Sequence, residues 1–331
     1  MSEPPKVFVS RVIPEAGLSL LREHCLVDVW QPDRPPTRAE LVEKCRAKDA
    51  LVCLLTEKVD AELLAAAPTL KIVANVAVGF DNLDVAAATQ AGVVMCNTPG
   101  VLDETTADLA FALLMASARR IAEGDRLVRS GKWTGWGIMQ MLGEDVHGAT
   151  LGIVGFGRIG RALAKRASGF DMTVVYTDAM RAHPEVEHEL GVSFATMDEL
   201  LARADFVSLH VPLLRDTHHL IDAAALHKMK RTAHLINTSR GPVVDEAALA
   251  QALSESVIAG AGLDVYEHEP QVAPELLQLD NVVLLPHIGS ASHATRGKMA
   301  EVAAQNVIAF FSGRPLPTPL NPQVLKSAAS T

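Results

Sequence analysis

The chain has 331 residues, 49% of them hydrophobic, 21% charged and 4% aromatic, with a formal net charge of −9. That length suits two domains, whose cores must be filled by Ala, Val, Leu and Ile rather than by rings, as in parallel sheets covered by helices. A negative balance without a basic block speaks against a nucleic-acid partner, and no apolar run approaches the ~18 residues of a membrane span.

Cys25, Cys45, Cys53 and Cys96 show no C-x-x-C spacing, so neither a disulfide framework nor a metal site is expected. The first residues, Met1-Ser-Glu-Pro-Pro-Lys6, lack the charged-then-apolar pattern of a secretion signal. The expected location is the cytoplasm, with the thiols reduced.

Apolar patterning predicts a strand at 6–10, a helix at 14–24 and a strand at 27–30. A Pro-rich turn leads to a helix at 37–48, opened by a capping box of Thr37 and Glu40. A strand at 50–55, a helix at 61–67 opened by Asp60, and strands at 70–75 and 92–96 complete a small α/β domain. A helix follows over 103–120, then another over 122–130. Residues 131–142 place Trp133, Trp136, Met139 and Met141 among glycines. Such a loop needs apolar cover, from a second copy of the chain or from its own domain.

Leu151-Gly-Ile-Val154 reads as a buried strand, after which Gly155, Gly157 and Gly160 fall at the spacing G-x-G-x-x-G and a helix begins. The first glycine permits a tight turn, the second lets backbone approach a pyrophosphate, and the third lets helix pack on sheet. The helix N-terminus then faces the phosphates. A second strand, 172–176, leads to Asp178, 18 residues past Gly160, where an acid would hold a ribose 2′-hydroxyl. The pattern implies a dinucleotide, with NAD favoured. Arg181 keeps NADP open, because an arginine can accept a 2′-phosphate.

Helices at 184–190, 197–202, 220–229 and 245–254 alternate with strands at 192–195, 206–210, 233–237, 258–263 and 282–285. The fold expected is α/β, a Rossmann-type doubly wound parallel sheet. A last helix, 292–311, would return to the first domain. The expected domains are therefore 1–102 with 290–331, flavodoxin-like, and an inserted dinucleotide-binding domain at 103–289.

Ligands of such sheets bind outside the carboxyl ends of the strands. Those ends lead into Thr238-Ser-Arg240, Asp264-Val-Tyr-Glu-His-Glu269 and Pro286-His287-Ile-Gly-Ser290, and in the first domain into Ala77-Val78-Gly79. A cleft between the domains is the expected site. A guanidinium can fork onto a carboxylate, an imidazole can give or take a proton, and a carboxylate beside it can orient it. The amides of Val78 and Gly79 can hold an anion. Each of these residues alone reads as structural; together they read as a site. The His218-His219 pair shows no ligand-spaced carboxylate and reads as structural.

Five ordered segments, Val154-Gly-Phe-Gly-Arg-Ile-Gly160, Asn237-Thr-Ser-Arg-Gly-Pro-Val-Val-Asp245, Gly262-Leu-Asp-Val-Tyr-Glu-His-Glu-Pro270, Leu285-Pro-His-Ile-Gly-Ser290 and Val78-Gly-Phe-Asp-Asn82, resemble the signatures of the D-isomer-specific 2-hydroxyacid dehydrogenases. Within that family the chain is most similar to glyoxylate/hydroxypyruvate reductases. The resemblance implies reduction of a small 2-oxo acid by NAD(P)H in a homodimer. It implies that Arg240, Glu269 and His287 are catalytic, and that Leu55, Val78, Gly79, Arg240 and Ser290 contact substrate. It places Thr106, Gly155, Phe156, Gly157, Arg158, Ile159, Gly160, Asp178, His210, Val211, Pro212, Thr217, Thr238, Ser239, Asp264, His287 and Gly289 along the cofactor. Phosphite dehydrogenases share these loops but resemble the chain less, because they carry a Lys where Val78 stands. Non-catalytic NADH-sensing corepressors share the fold and the three catalytic residue types. Formate dehydrogenases put Gln where Glu269 stands.

Overall fold

A computed structural model describes residues 3–327. The chain divides into two compact units, Met1–Leu102 with Ala291–Thr331, and Asp103–Ser290, so Ser290 falls with the inserted unit.

The first unit contains β1 (Lys6–Val9), α1 (Glu15–His24), β2 (Leu26–Val29), α2 (Arg38–Cys45), β3 (Ala50–Cys53), α3 (Ala61–Ala66), β4 (Ile72–Asn75), α4 (Val85–Gln90) and β5 (Val94–Cys96). Its sheet is wholly parallel in the order β2-β1-β3-β4-β5, the flavodoxin-like arrangement. Every residue of β3 and β4 is buried, which is why both read as unbroken apolar runs. Capping side chains set the helix starts: Thr37 and Glu40 form the capping box of α2, and Asp60 and Asp84 accept from Leu63 and Ala87. The sequence reading has no counterpart of α4, a six-residue Ala-rich turn of helix whose only signal is Asp84.

The second unit contains α5 (Asp103–Ala118), α6 (Ile121–Arg129), β6 (Thr150–Val154), α7 (Arg158–Ser168), β7 (Thr173–Thr177), α8 (Pro184–Leu190), β8 (Val192–Phe194), α9 (Met197–Arg203), β9 (Phe206–Leu209), α10 (Ala223–Lys228), β10 (His234–Asn237), α11 (Glu246–Ser254), β11 (Gly260–Leu263) and β12 (Val282–Leu284). Its seven strands are parallel in the order β12-β11-β10-β9-β6-β7-β8. The order reverses at β6, which has β7 on one side and β9 on the other; that switch point is where doubly wound sheets bind dinucleotides. One face is filled by Leu, Val and Ala from β9–β11 and α9–α11, the other by α5 and α7 against β6 and β7. Few rings are needed, as the composition implies.

The chain then returns to the first unit with α12 (His293–Phe311) and α13 (Gln323–Ser327). α12 packs along α1 so closely that a β-carbon on Gly17 would lie 2.6 Å from the carbonyl oxygen of Ala300. Only glycine fits there. Past α12, Asn321 donates to Val93 and accepts from Met95, which ties this segment to β5.

Candidate active site

The glycine turn leaves β6 as its spacing predicts. Gly155 has φ +93° and lies against the His210 carbonyl, which an added β-carbon would meet at 2.7 Å. A β-carbon on Gly160 would lie 2.3 Å from the oxygen of Gly155, so α7 can press onto the turn only without one. Gly157, in contrast, opens onto empty space at the N-terminus of α7. That open space at the N-terminal amides of α7 fits a pyrophosphate.

Asp178 follows β7, and its Oδ2 accepts the amide of Phe156 at 2.6 Å, so the acid is fixed to the glycine turn itself. Phe156 takes part through its main chain only, since its ring is buried and stacked on Tyr176 at 4.1 Å. Ile159 likewise packs into the core, while Arg158 is exposed. Arg181 forks onto Glu187 with two 2.8 Å bonds. That pairing, with a bond from the Tyr176 hydroxyl, holds the Glu187 carboxyl down at about 2.

After β9, His210 Nε2 meets Ser208 Oγ at 2.9 Å, and burial depresses its pKa to about 4, so the ring is neutral. Val211 packs on the core, and Thr217 donates to the Pro212 carbonyl and accepts from Leu214 N, closing the loop on itself. After β10, the Asn237 carboxamide accepts from Ser239 N at 3.0 Å and donates to Arg240 O at 2.9 Å. This side-chain turn presents Thr238, Ser239 and Arg240 in succession. Thr238 Oγ1 is buried and has no hydrogen-bond partner among the described residues, as expected of a hydroxyl awaiting a ligand.

The catalytic candidates come together at the ends of β10, β11 and β12. His287 Nδ1 lies 2.8 Å from Glu269 Oε2, with the two side chains 27% and 29% exposed. Glu269 Oε1 accepts the Tyr266 amide at 3.1 Å. Burial pushes the Glu269 carboxyl up, but the bond and charge of His287, the Tyr266 amide and the charge of Arg240 outweigh it and hold the group below its ordinary range. Asp264 is 1% exposed; it accepts the Ile288 and Gly289 amides, both at 2.7 Å, while its carbonyl accepts His287 N at 2.9 Å. Burial raises the Asp264 carboxyl above its usual value despite those amides and the nearby His287. Thr106 of α5 is buried beside Gly289, within 3.5 Å of where a β-carbon would stand. Ser290 is half-buried at the end of this loop.

Leu55, Val78 and Gly79 belong to the other unit. There Asn75 Nδ2 donates to the Gly79 carbonyl and Asn97 Nδ2 to the Val78 carbonyl, which fixes the loop through its oxygens.

Asn237 and Tyr266 shape the candidate site but were not expected from sequence; the Tyr266 hydroxyl donates to Leu285 O at 2.8 Å, bracing the loop after β11 on the end of β12. One expectation needs correction. The His218-His219 pair does have a carboxylate neighbour: Glu267 Oε1 lies 2.8 Å from His219 Nε2. It arrives from the loop after β11, so sequence spacing could not reveal it.

A parallel sheet of this order, a glycine turn at its switch point and an arginine, a carboxylate and a histidine on successive loops define a nucleotide-dependent dehydrogenase architecture. The family model for the NAD-binding domain of D-isomer specific 2-hydroxyacid dehydrogenases matches residues 111–289. A glyoxylate reductase from Korarchaeum cryptofilum is 56% identical over 325 residues, 97% of both chains. The crystal structure of a glyoxylate reductase from Paecilomyes thermophila superposes with a TM-score of 0.86 at 33% identity, covering 98% of this chain and 100% of the other. An NADPH-dependent glyoxylate/hydroxypyruvate reductase from Sinorhizobium meliloti, solved with NADP and malonate, gives 0.84 at 34% identity, covering 96% and 97%. The chain belongs to the D-isomer specific 2-hydroxyacid dehydrogenase family.

Proposed function

We propose that this chain reduces glyoxylate or hydroxypyruvate to the 2-hydroxy acid with NAD(P)H. The observation that carries the mechanism is the 2.8 Å pair of His287 and Glu269 beside Arg240. A bound nicotinamide dinucleotide supplies the hydride. With Nδ1 engaged by Glu269, His287 has Nε2 left to protonate the carbonyl oxygen of the substrate. Glu269 orients the ring and balances the imidazolium charge. Arg240 binds the carboxylate and stabilises the oxygen as it gains charge. Val78 and Gly79 offer amides for the carboxylate, and Leu55 and Ser290 are further substrate contacts. Arg240→Ala and His287→Ala should keep the native melt and lose about 100- to 1,000-fold in kcat. Near-normal steady-state rates in either variant would overturn these roles.

NAD is the preferred cofactor in this reading. Asp178 stands where a 2′-phosphate would meet a like charge, and Arg181 is already forked onto Glu187. The oxidation rates of NADH and NADPH, each with glyoxylate, hydroxypyruvate and pyruvate, test both points. Preference for NADPH would keep the reaction and remove the Asp178 argument. Tight NADH binding with no turnover would favour a sensor.

The functional form is a homodimer. Trp133, Trp136, Ile138, Met139 and Leu142 are 52–80% exposed within one short segment, an apolar face suited to a second copy. Sedimentation of the full chain as a monomer would remove this assignment. Four buried, unpaired cysteines fit a reducing, cytoplasmic location.

A further inference from the structure

We propose that His218, His219 and Glu267 form a binding site for a divalent transition-metal ion of the zinc type, separate from the catalytic residues. One ligand atom from each lies within 4.8 Å of the others. Two imidazoles and a carboxylate are a donor set that zinc accepts, with a further position left to water.

The backbone is shaped for this convergence. Neighbouring side chains in an extended chain point to opposite sides. Here His219 has φ +50°, a conformation costly for a residue with a β-carbon, and the ring centroids of His218 and His219 lie 4.1 Å apart with their planes tilted by 33°. The strained turn is pinned by the His219 amide, which donates to Pro242 O at 2.8 Å. Strain of this kind persists where surrounding structure enforces it, and it gathers at binding sites.

Glu267 is equally fixed. Its amide donates to Glu246 Oε2 at 2.8 Å, and its Oε2 accepts the Glu246 amide at 3.3 Å. Oε1 is thereby turned to His219, and the Glu246 carboxylate adds negative charge nearby. The 2.8 Å separation of His219 Nε2 and Glu267 Oε1 is close to the ~2.9–3.4 Å between two ligands each ~2.1 Å from one ion. Metal entry opens the gap by a few tenths of an ångström, and the proton shared by these atoms moves to His219 Nδ1. A hydrogen bond accounts for His219 and Glu267 alone. His218, which is exposed, adds to that pair only its ring contact with His219.

The test is equilibrium dialysis of the full chain, free of affinity tag and stripped with chelator, against zinc chloride. A single saturable equivalent is expected, with a rise in melting temperature. His218→Ala removes an exposed ring and Glu267→Gln keeps an oxygen for the Glu246 amide, so both variants should melt like the metal-free parent. Each should bind zinc at least about tenfold more weakly and lose the zinc-dependent rise. No saturable zinc on the parent, or zinc bound equally well by both variants, would overturn the site.

Discussion

His287 is held at φ +55°, which a β-carbon resists at a cost of roughly 1–3 kcal/mol. The restraint is Asp264, whose two carboxylate oxygens take the amides of Ile288 and Gly289 while its carbonyl takes that of His287. Asp264→Asn keeps the shape but turns one acceptor into a donor facing an amide. A buried amide left unpaired costs about 1–3 kcal/mol, so the variant should melt earlier. It should also lose kcat/KM and broaden its pH–rate profile, because His287 is no longer fixed against Glu269. An unchanged profile would mean that Asp264 only stabilises the loop. His234 illustrates a different cost of burial. It is 5% exposed, with Nδ1 bonded to Ser117 Oγ at 2.7 Å and Nε2 lacking a partner among the described residues. Burial lowers its pKa from 6.5 to about 4. As pH falls below 6.5 the unfolded chain takes the proton first. Stability is thus complete above 6.5 and is lost between 6.5 and about 4, on the order of 3 kcal/mol in all. Urea midpoints at about pH 7 and pH 5 should fall further apart for the parent than for His234→Gln. Equal separations would reject this account.

At the scale of an element, the three glycines of the turn after β6 do different work, and two substitutions separate it. Gly155→Ala puts a β-carbon on a residue at φ +93° and 2.7 Å from the His210 carbonyl, so it should cost stability by about 1–3 kcal/mol or more. Gly157→Ala adds a β-carbon that meets nothing in the protein within 4 Å. It should melt normally yet bind NADH at least tenfold more weakly, by roughly the ~1.4 kcal/mol that a factor of ten represents. If both variants simply unfolded, the pyrophosphate reading would fail. The contrast also shows what sequence could reveal. The G-x-G-x-x-G spacing, the buried strand before it and the acid after the next strand are all local, and so is the order of loops that carries Arg240, Glu269 and His287. The brackets around them are not local. Tyr266 acts through a bond to the Leu285 carbonyl that only the folded loops bring near, and Glu267 reaches His219 across 48 residues of sequence, whereas Asn237 bonds within its own turn, to Ser239 and Arg240. α4 escaped because six Ala-rich residues lack a full amphipathic period, and only Asp84 marks its start.

On the scale of the whole chain, the division at residues 103 and 290 gives the two units unequal prospects alone. The second unit is one continuous segment, with its own seven-stranded sheet, both helical layers and every cofactor candidate from Thr106 to Gly289. The first is completed only when α12 returns to α1 across the Gly17–Ala300 contact and Asn321 bonds to β5. Expressed separately, residues 103–290 should melt cooperatively and bind NADH without turning over 2-oxo acids, because the amides proposed to hold the carboxylate, at Val78 and Gly79, are missing. Residues 1–102 should not melt cooperatively, since Leu18, Leu21 and β4 lose the apolar surface of α12. Calorimetry of the two fragments, with NADH titrated into the larger, measures both outcomes. A cooperative transition in 1–102 would show that the flavodoxin-like sheet closes its core without α12. A fragment 103–290 that failed to bind NADH would mean that the glycine turn, although complete in its own sheet, depends on residues outside it.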